Sequence, residues 1–249
     1  MCKDRGCHSK LIIAVQEFPP ALREIASSVR VLDATNNRIT PERLPDYLAQ
    51  FAALQRLLLT RNALTSLPPA VGSLQNLKVL MVDSNQLTAL PNSLGQLPRL
   101  ERLSAAGNCL TALPATLGKL GTLRQLDVSA NKLMALPPEL GSCTALEELT
   151  ANDNYLQAVP ASLSSLQQLK TLQLDKNRIQ AIPPGVLAEC TSLQTLSLHG
   201  NPITVQAVQE TDGYAAFEQR RRSKFDKSIG AGVLLDSKGL DEGLDRRTT

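Results

Sequence analysis

The chain has 249 residues, which is enough for one large domain or two small ones. Apolar residues make up 43% of it, but aromatic residues only 3%, so the core must be built from leucine, valine and alanine. No apolar run reaches about 18 residues, which excludes a membrane-spanning helix, and the start lacks the apolar core of a signal peptide. Residues 218–227 carry a charge equal to the net charge of +3, so the remainder is neutral and an extended nucleic-acid-binding surface is not expected.

Residues 1–28 are predicted to form an N-terminal cap and a degenerate half-repeat. Residues 1–14 fit no repeat, whereas residues 15–19 resemble the second half of a repeat whose first half is missing. A terminal repeat is expected to be atypical because it must shield the open end of the core.

A column of asparagines begins after residue 29 and marks eight predicted repeats over residues 29–203. Each repeat follows LxxLxLxxNxL and then xxLPxxLGxLxx, with a spacing of 23 residues in the five central steps and 24 or 25 at the ends. The asparagines are Asn37, Asn62, Asn85, Asn108, Asn131, Asn154, Asn177 and Asn201.

The columns of the repeat predict a stacked parallel sheet. Side chains of the LxL portion alternate, so each repeat is expected to supply one short strand with its leucines on the core face. Each asparagine is expected to point inward at the turn after the strand. There its amide can both donate and accept, and so bridge the backbone groups of successive turns.

This pattern resembles the leucine-rich repeat family, in particular its intracellular class with LxxLPxxLGxLxxL outer segments, typified by Ras-suppressor and plant Ras-group-related proteins. The resemblance covers about residues 15–203, and a smaller group of the family also shares KDRG at residues 3–6 and the TDGYAAFEQRRRSK segment. It implies an α/β fold, a curved leucine-rich repeat solenoid with a parallel sheet on the concave face and short helical or extended segments on the convex face. Members of the smaller group often begin with a glycine-led myristoylation signal, which this start lacks, so acylation is not carried over.

After the repeats, residues 204–227 are predicted to form a C-terminal capping helix that Gly213 can interrupt. Tyr214 and Phe217 would take the place of the next repeat's leucines. Residues 228–249 have no periodicity, and we expect them to be disordered or bound along a surface.

The pattern does not bring reactive groups together. The two histidines, His8 and His199, lie at opposite ends of the predicted solenoid, and no nucleotide-binding motif occurs. The five cysteines show no metal-ligand spacing, so no metal or other cofactor is expected. We therefore predict no enzymatic activity, and the scattered cysteines favour a reducing compartment and a cytoplasmic protein.

The concave sheet face is the predicted binding surface, because its outward side chains are not needed for the core. Apolar residues cluster on three adjacent strands at one end of it, which is typical of an interface, although chance could also place them there. The predicted partner-binding residues are Val31, Arg56, Leu58, Arg61, Val79, Met81, Asp83 and Arg102.

A basic run near the C-terminus has three interpretations. It can be the solvated side of the capping helix, a weak contact with an acidic partner or anionic lipid, or a nuclear localisation signal. The residues are Arg220, Arg221, Arg222 and Lys224.

Together these features favour a non-catalytic protein–protein interaction module, acting as an adaptor or a structural subunit of a larger assembly. Its partner is expected to be a protein rather than nucleic acid, since pre-formed curvature meets a partner without an ordering cost. The alternative is a signalling regulator of the Ras-suppressor type that docks a small GTPase or a phosphatase on the concave face.

Overall fold

The computed structural model describes the backbone of residues 10–12, 22–44 and 47–230, and the side chains of residues 22–44 and 47–223. Within these ranges, nine strands form one parallel sheet in which each strand pairs with the next in sequence. The strands are β1 (Lys10–Ile12), β2 (Val31–Asp33), β3 (Arg56–Leu58), β4 (Val79–Met81), β5 (Arg102–Ser104), β6 (Gln125–Asp127), β7 (Glu148–Thr150), β8 (Thr171–Gln173) and β9 (Thr195–Ser197).

From β2 to β9, every strand has a buried leucine at its centre. The central leucines are in register, as in the pairs of Leu57 with Leu80 and of Leu80 with Leu103, so they stack into one continuous core. The residues on either side of each leucine face the opposite way, because side chains alternate along a strand. The strands therefore build the core and the concave surface at the same time.

The sheet has one strand more than the eight predicted repeats supply. Strand β1 pairs in parallel with β2, although its sequence fits no repeat. Parallel pairing uses backbone N–H and C=O groups, which every residue other than proline carries, so the leucine pattern is not needed for it. Residues 1–9 and 13–21, which make up most of the predicted N-terminal cap, lie outside the described residues.

The convex side is built from short 3₁₀ helices. In five repeats they follow the proline of the LP step, which fixes φ and ends the preceding extended segment. Gly118 packs so closely on the next of these helices that a Cβ atom would lie 2.4 Å from the carbonyl oxygen of Glu139. The five 3₁₀ helices are Pro69–Ser73, Asn92–Gln96, Ala115–Lys119, Pro138–Ser142 and Ala161–Ser165, and the following repeat has the helix α2 (Pro184–Glu189) instead.

Shorter elements lie at the N-terminal end. They are α1 (Leu22–Ile25) and the 3₁₀ helices Ala26–Ser28, Pro41–Arg43 and Leu48–Gln50. The fold as a whole is a curved α/β solenoid, with short strands on the inner side and bulkier segments on the outer side.

The asparagine column joins each repeat to the one before it. In Asn108, Oδ1 accepts the Leu87 N–H at 3.0 Å, and Nδ2 donates to the carbonyl oxygens of Val82 and Ala105, both at 3.0 Å. Equivalent bonds are made by Asn62, Asn85, Asn131, Asn154, Asn177 and Asn201. Backbone groups that the turn would otherwise leave unpaired are satisfied in this way.

The C-terminal end is covered by two helices, α3 (Val205–Gln209) and α4 (Tyr214–Gly230), where the sequence predicts one. They are separated at Gly213, whose φ of +85° lies in the left-handed region. A Cβ atom there would lie 2.4 Å from the backbone nitrogen of Ala188, so this position also needs a glycine for close packing. Phe217 is buried and Tyr214 packs against the core beside it. Helix α4 ends three residues beyond the predicted boundary, and residues 231–249 of the predicted tail lie outside the described residues.

Candidate functional site

The strand register brings most of the predicted binding residues together on the concave face. The first positions of β2 to β5 are successive partners in the sheet, as are the third positions of β3 and β4. Because the central leucine of each strand points into the core, both positions point away from it. The six residues concerned are Val31, Arg56, Val79 and Arg102 at the first position, and Leu58 and Met81 at the third.

The apolar part of this surface is less exposed than the sequence predicts. Its four apolar side chains are each half-buried, whereas the three arginines of the predicted site are exposed. Neighbouring strands are about 4.8 Å apart, so side chains at the same position cover part of one another. The surface is therefore a half-covered apolar floor bordered by guanidinium groups.

A shallow depression of about 230 Å³ opens on the concave face from Met81 to Thr150. A second depression of about 380 Å³ adjoins it and includes Arg56, Val79 and Arg102. The two depressions together form one hollow, and only four of the predicted binding residues line it. They are Arg56, Val79, Met81 and Arg102, whereas Val31, Leu58, Arg61 and Asp83 lie outside it. Its remaining side consists of polar side chains of β6 and β7, which an apolar pattern does not reveal, although they occupy the same first and third strand positions. These residues are Gln125, Asp127, Glu148 and Thr150.

A chain of hydrogen bonds crosses the floor of the hollow. Arg102 donates from Nε to Oε1 of Gln125, which donates in turn from Nε2 to Oε2 of Glu148 at 2.8 Å. At the border of the second depression, Glu147 accepts from Lys170 at 2.6 Å and from Arg124 at 2.7 Å. The hydrogen bond from Lys170 is the main cause that lowers the pKa of Glu147. These charged side chains thus already have hydrogen-bond partners within the chain before any partner protein binds.

The carboxylate of Asp83 accepts hydrogen bonds from within the chain and is not free to bind a partner. Its Oδ1 accepts from the hydroxyl of Ser104 and from the backbone N–H of Ala106 at 2.9 Å, and its Oδ2 accepts from Thr60 at 3.3 Å. A carboxylate with this many donors is largely satisfied within the chain. Its direct contribution to a partner is correspondingly small.

Arg61 lies at the edge of the concave face, not at its centre. It precedes Asn62 in the turn, and its φ is +56°. The residue before each of the eight asparagines has a positive φ, so the turn of the repeat requires the left-handed backbone conformation at this position, whichever residue occupies it. The side chain of Arg61 is exposed and can border the hollow only from the side.

The described residues contain no group of three or more His, Cys, Asp or Glu side chains that could hold a metal ion. Among them, no helix combines the length and the apolar character needed to cross a bilayer. His8 lies outside the described residues. Cys143 and Cys190 are buried on the convex side, where desolvation raises the pKa of each thiol to about 11. Such thiols are poor nucleophiles at neutral pH.

The basic run of α4 is largely engaged within the chain. Arg220 donates to the carbonyl oxygens of Leu187 and Leu193 at 2.7 and 3.1 Å, and desolvation lowers the pKa of its guanidinium. Arg221 and Arg222 both pair with Glu218, at 2.8 and 2.9 Å. The Arg222 side chain is 75% exposed, and that of Lys224 lies outside the described residues. An acidic contact through this run stays a prediction, in which Arg222 would be the most accessible described member.

Two family models match the chain, one described as a leucine-rich repeat region over residues 14–131 and one as a leucine rich repeat over residues 144–203. The chain belongs to the leucine-rich repeat family, which confirms the family and the fold class predicted from the asparagine and leucine columns. Proteins of this fold typically use their extended concave surface for binding, and the chain is a protein-interaction module.

Within the family, similarity to a rice protein supports the Ras-group-related class. The chain is 50% identical over 60 residues to "Plant intracellular Ras-group-related LRR protein 7" of Oryza sativa subsp. japonica. The matched segment is 24% of this chain and 23% of the rice protein, so the chain spans about a quarter of that relative.

Solved structures share the architecture. An LRR protein of Leptospira interrogans is 30% identical with a TM-score of 0.60, over 80% of this chain and 56% of that one. The Arabidopsis receptor kinase HAESA, solved in complex with the peptide hormone IDA and the co-receptor SERK1, is 28% identical with a TM-score of 0.67, over 80% of this chain and 35% of that one.

Proposed function

We propose that the chain is a non-catalytic adaptor or structural subunit of a larger assembly, and that it binds a protein partner through the concave face. The observation that carries this proposal is the hollow that runs across β3 to β7. Its lining includes the half-buried Val79 and Met81 together with the exposed Arg56 and Arg102. Protein interfaces concentrate their binding energy in a few apolar, aromatic and arginine side chains. The hollow supplies apolar and arginine side chains on a rigid sheet.

The dimensions of the sheet favour a peptide or a helix over a small molecule. Eight steps of about 4.8 Å give a face about 38 Å long, which matches a helix of about 25 residues. Small-molecule sites enclose most of their ligand, whereas both depressions here are shallow and open. A long partner that follows the curvature uses this surface better than a compact ligand.

A cytoplasmic location is part of the proposal. The name of the rice relative describes that protein as intracellular. Cys143 and Cys190 are free thiols buried in the convex layer, where desolvation opposes ionisation and hence oxidation. The first feature favours the cytoplasm. The second only agrees with it, because burial protects the two thiols in an oxidising compartment as well.

Replacing both Leu58 and Met81 by aspartate tests the binding face. The two substitutions place carboxylates on the apolar floor, and we expect them to abolish capture of the native partner in affinity purification with mass spectrometry. The matched control replaces Thr171 and Gln173 by aspartate, because these residues hold the first and third positions of β8 outside the hollow. The unfolding transition of each variant is measured in parallel.

Capture that survives L58D/M81D in a folded protein would contradict the proposed face. If T171D/Q173D then removes the capture, the binding site lies in the C-terminal half of the sheet.

A regulator of small-GTPase or phosphatase signalling is the second candidate function, favoured by the similarity to the Ras-group-related rice protein. The two functions differ in the permanence of the complex. A structural subunit should co-purify in stoichiometric amount through salt washes, whereas a regulator should bind a GTPase differently in its GDP-bound and GTP-bound states. Capture that responds to the nucleotide would favour the regulator.

A further inference from the structure

A second candidate surface lies on one flank of the solenoid, which is formed by the segments that lead from each strand, through its asparagine turn, to the convex side. Among the described residues, the exposed large apolar side chains are Met134, at 65%, and Tyr155, at 42%. Both belong to this flank, and neither lines the concave hollow. Large apolar side chains that stay exposed in neighbouring repeats are a feature of interaction surfaces.

Backbone hydrogen bonds hold these two residues in neighbouring repeats. Tyr155 donates its N–H to the carbonyl oxygen of Leu133 at 2.9 Å, and Gln157 donates to that of Met134 at 3.3 Å. Tyr155 follows the buried Asn154 directly, so its position is fixed by the same turn that anchors the asparagine. The exposed pair is therefore displayed from rigid backbone rather than from a mobile loop.

Cationic side chains stand on both sides of Tyr155. The guanidinium carbon of Arg178, in the next repeat, lies 4.7 Å from the centroid of the Tyr155 ring. Lys132 holds the equivalent position in the preceding repeat and is exposed. The nearby carboxylate of Asp153 pairs with Lys176 at 3.3 Å. It therefore balances the charge of Lys176 rather than that of Lys132 or Arg178. The flank thus presents an apolar centre between two positive charges.

We propose that this flank, defined by Lys132, Met134, Tyr155 and Arg178, docks an acidic segment of a partner protein that carries an aliphatic or aromatic side chain. The apolar side chain of the segment packs on the tyrosine and methionine, and its carboxylates pair with the lysine and arginine. Charge complementarity of this kind sets the orientation and the specificity of a docked chain. A lipid surface is a poorer match, because recognition of anionic lipid uses clusters of about four to eight basic residues. This proposal does not depend on the concave face.

The test selects random twelve-residue peptides displayed on phage against the full chain. Enriched peptides should combine Asp or Glu with a leucine, isoleucine or aromatic residue. Their affinity should fall at least about tenfold in the Tyr155→Ala, Arg178→Ala double variant, as expected for loss of an aromatic anchor and an arginine. Gln86→Ala is the matched control, since Gln86 holds the same repeat position as Tyr155 outside the flank, and it should leave the affinity unchanged.

Charge reversal gives an independent readout. Arg178→Glu should shift the enriched peptides towards basic residues. L58D/M81D should leave the enrichment of Asp- and Glu-containing peptides unchanged. The proposal is overturned if no peptides are enriched, if they lack acidic residues, or if they bind the double variant as tightly as the wild type. Binding to phosphatidylserine vesicles that the double variant loses would also overturn it, in favour of a membrane contact. Failure here leaves the concave-face proposal standing.

Discussion

Replacement of Asn108 by alanine tests how much the asparagine column contributes to stability. The truncation removes the acceptor of the Leu87 N–H, at 3.0 Å, and both residues lie in the buried interior. A buried donor left without a partner costs about 1–3 kcal/mol.

The three carbonyls to which Asn108 donates are less affected, because each has a second donor. The longest of these bonds, 3.3 Å to Ala106, matters least, since that oxygen still accepts from the Ser84 N–H at 2.7 Å. Val82 still accepts from Asn85 at 2.9 Å, and Ala105 still accepts from Asn131 at 2.9 Å. Each lost bond is worth about 0.5–1.5 kcal/mol, so the whole substitution should cost about 4 kcal/mol. That is a large share of the roughly 5–15 kcal/mol that stabilises a typical domain.

Urea-induced unfolding followed by far-ultraviolet circular dichroism measures this loss, with Asn201→Ala as the matched variant. Asn201 makes the equivalent bonds to Ile179, Leu174 and Leu198, but it is half-buried near the end of the array. Water can replace part of its bonds, and we expect a loss of about 1–2 kcal/mol. The reasoning fails if both variants lose the same free energy, or if Asn108→Ala loses less than about 1 kcal/mol.

Three further substitutions test packing, backbone strain and charge. Gly118→Ala places a Cβ atom 2.4 Å from a backbone oxygen of the next repeat and should cost about 3 kcal/mol in urea unfolding, whereas Gly121→Ala, where nothing lies within 4 Å, should be tolerated. Ala130→Gly should raise the unfolding free energy by about 0.5–1 kcal/mol, because Ala130 has a φ of +52° that glycine adopts without strain. The hydrogen bond from Arg221 is the main cause that lowers the pKa of Glu218 in the folded chain. Its stabilisation is therefore present above the unfolded pKa of about 4.3 and lost as the pH falls through the folded pKa, and Glu218→Gln should flatten this part of the acid dependence of the melting temperature.

The family and the solenoid could be predicted from the sequence because both follow from a local rule repeated along the chain. An LxL step and an asparagine recur at a nearly constant spacing, and each repeat needs only its neighbours to complete the core. Strand β1 shows the limit of that rule. Lys10–Ile12 joins the sheet through backbone pairing, which leaves no mark in a leucine pattern.

The candidate site could be predicted in its position but not in its detail. Strand alternation places Leu58 and Met81 on the concave face, yet their half-buried state depends on side chains of neighbouring repeats. The bond between Ser104 and Asp83 likewise joins residues 21 positions apart. A comparison of repeats could have identified Met134, because the equivalent positions in all four preceding repeats are threonines.

The two proposed surfaces meet at one repeat, and this raises the question of whether they serve one partner or two. Thr150 borders the hollow at the end of β7, and Tyr155 follows it by five residues on the adjoining flank. A partner chain that leaves the hollow across β7 would therefore reach the acidic-segment site without crossing the rest of the solenoid. If one partner spans both surfaces, a linked segment adds its affinity through a high effective concentration, and loss of either contact weakens the same complex. Two separate partners would instead give substitutions at Met81 and Arg178 that each affect a different complex, with no coupling between them.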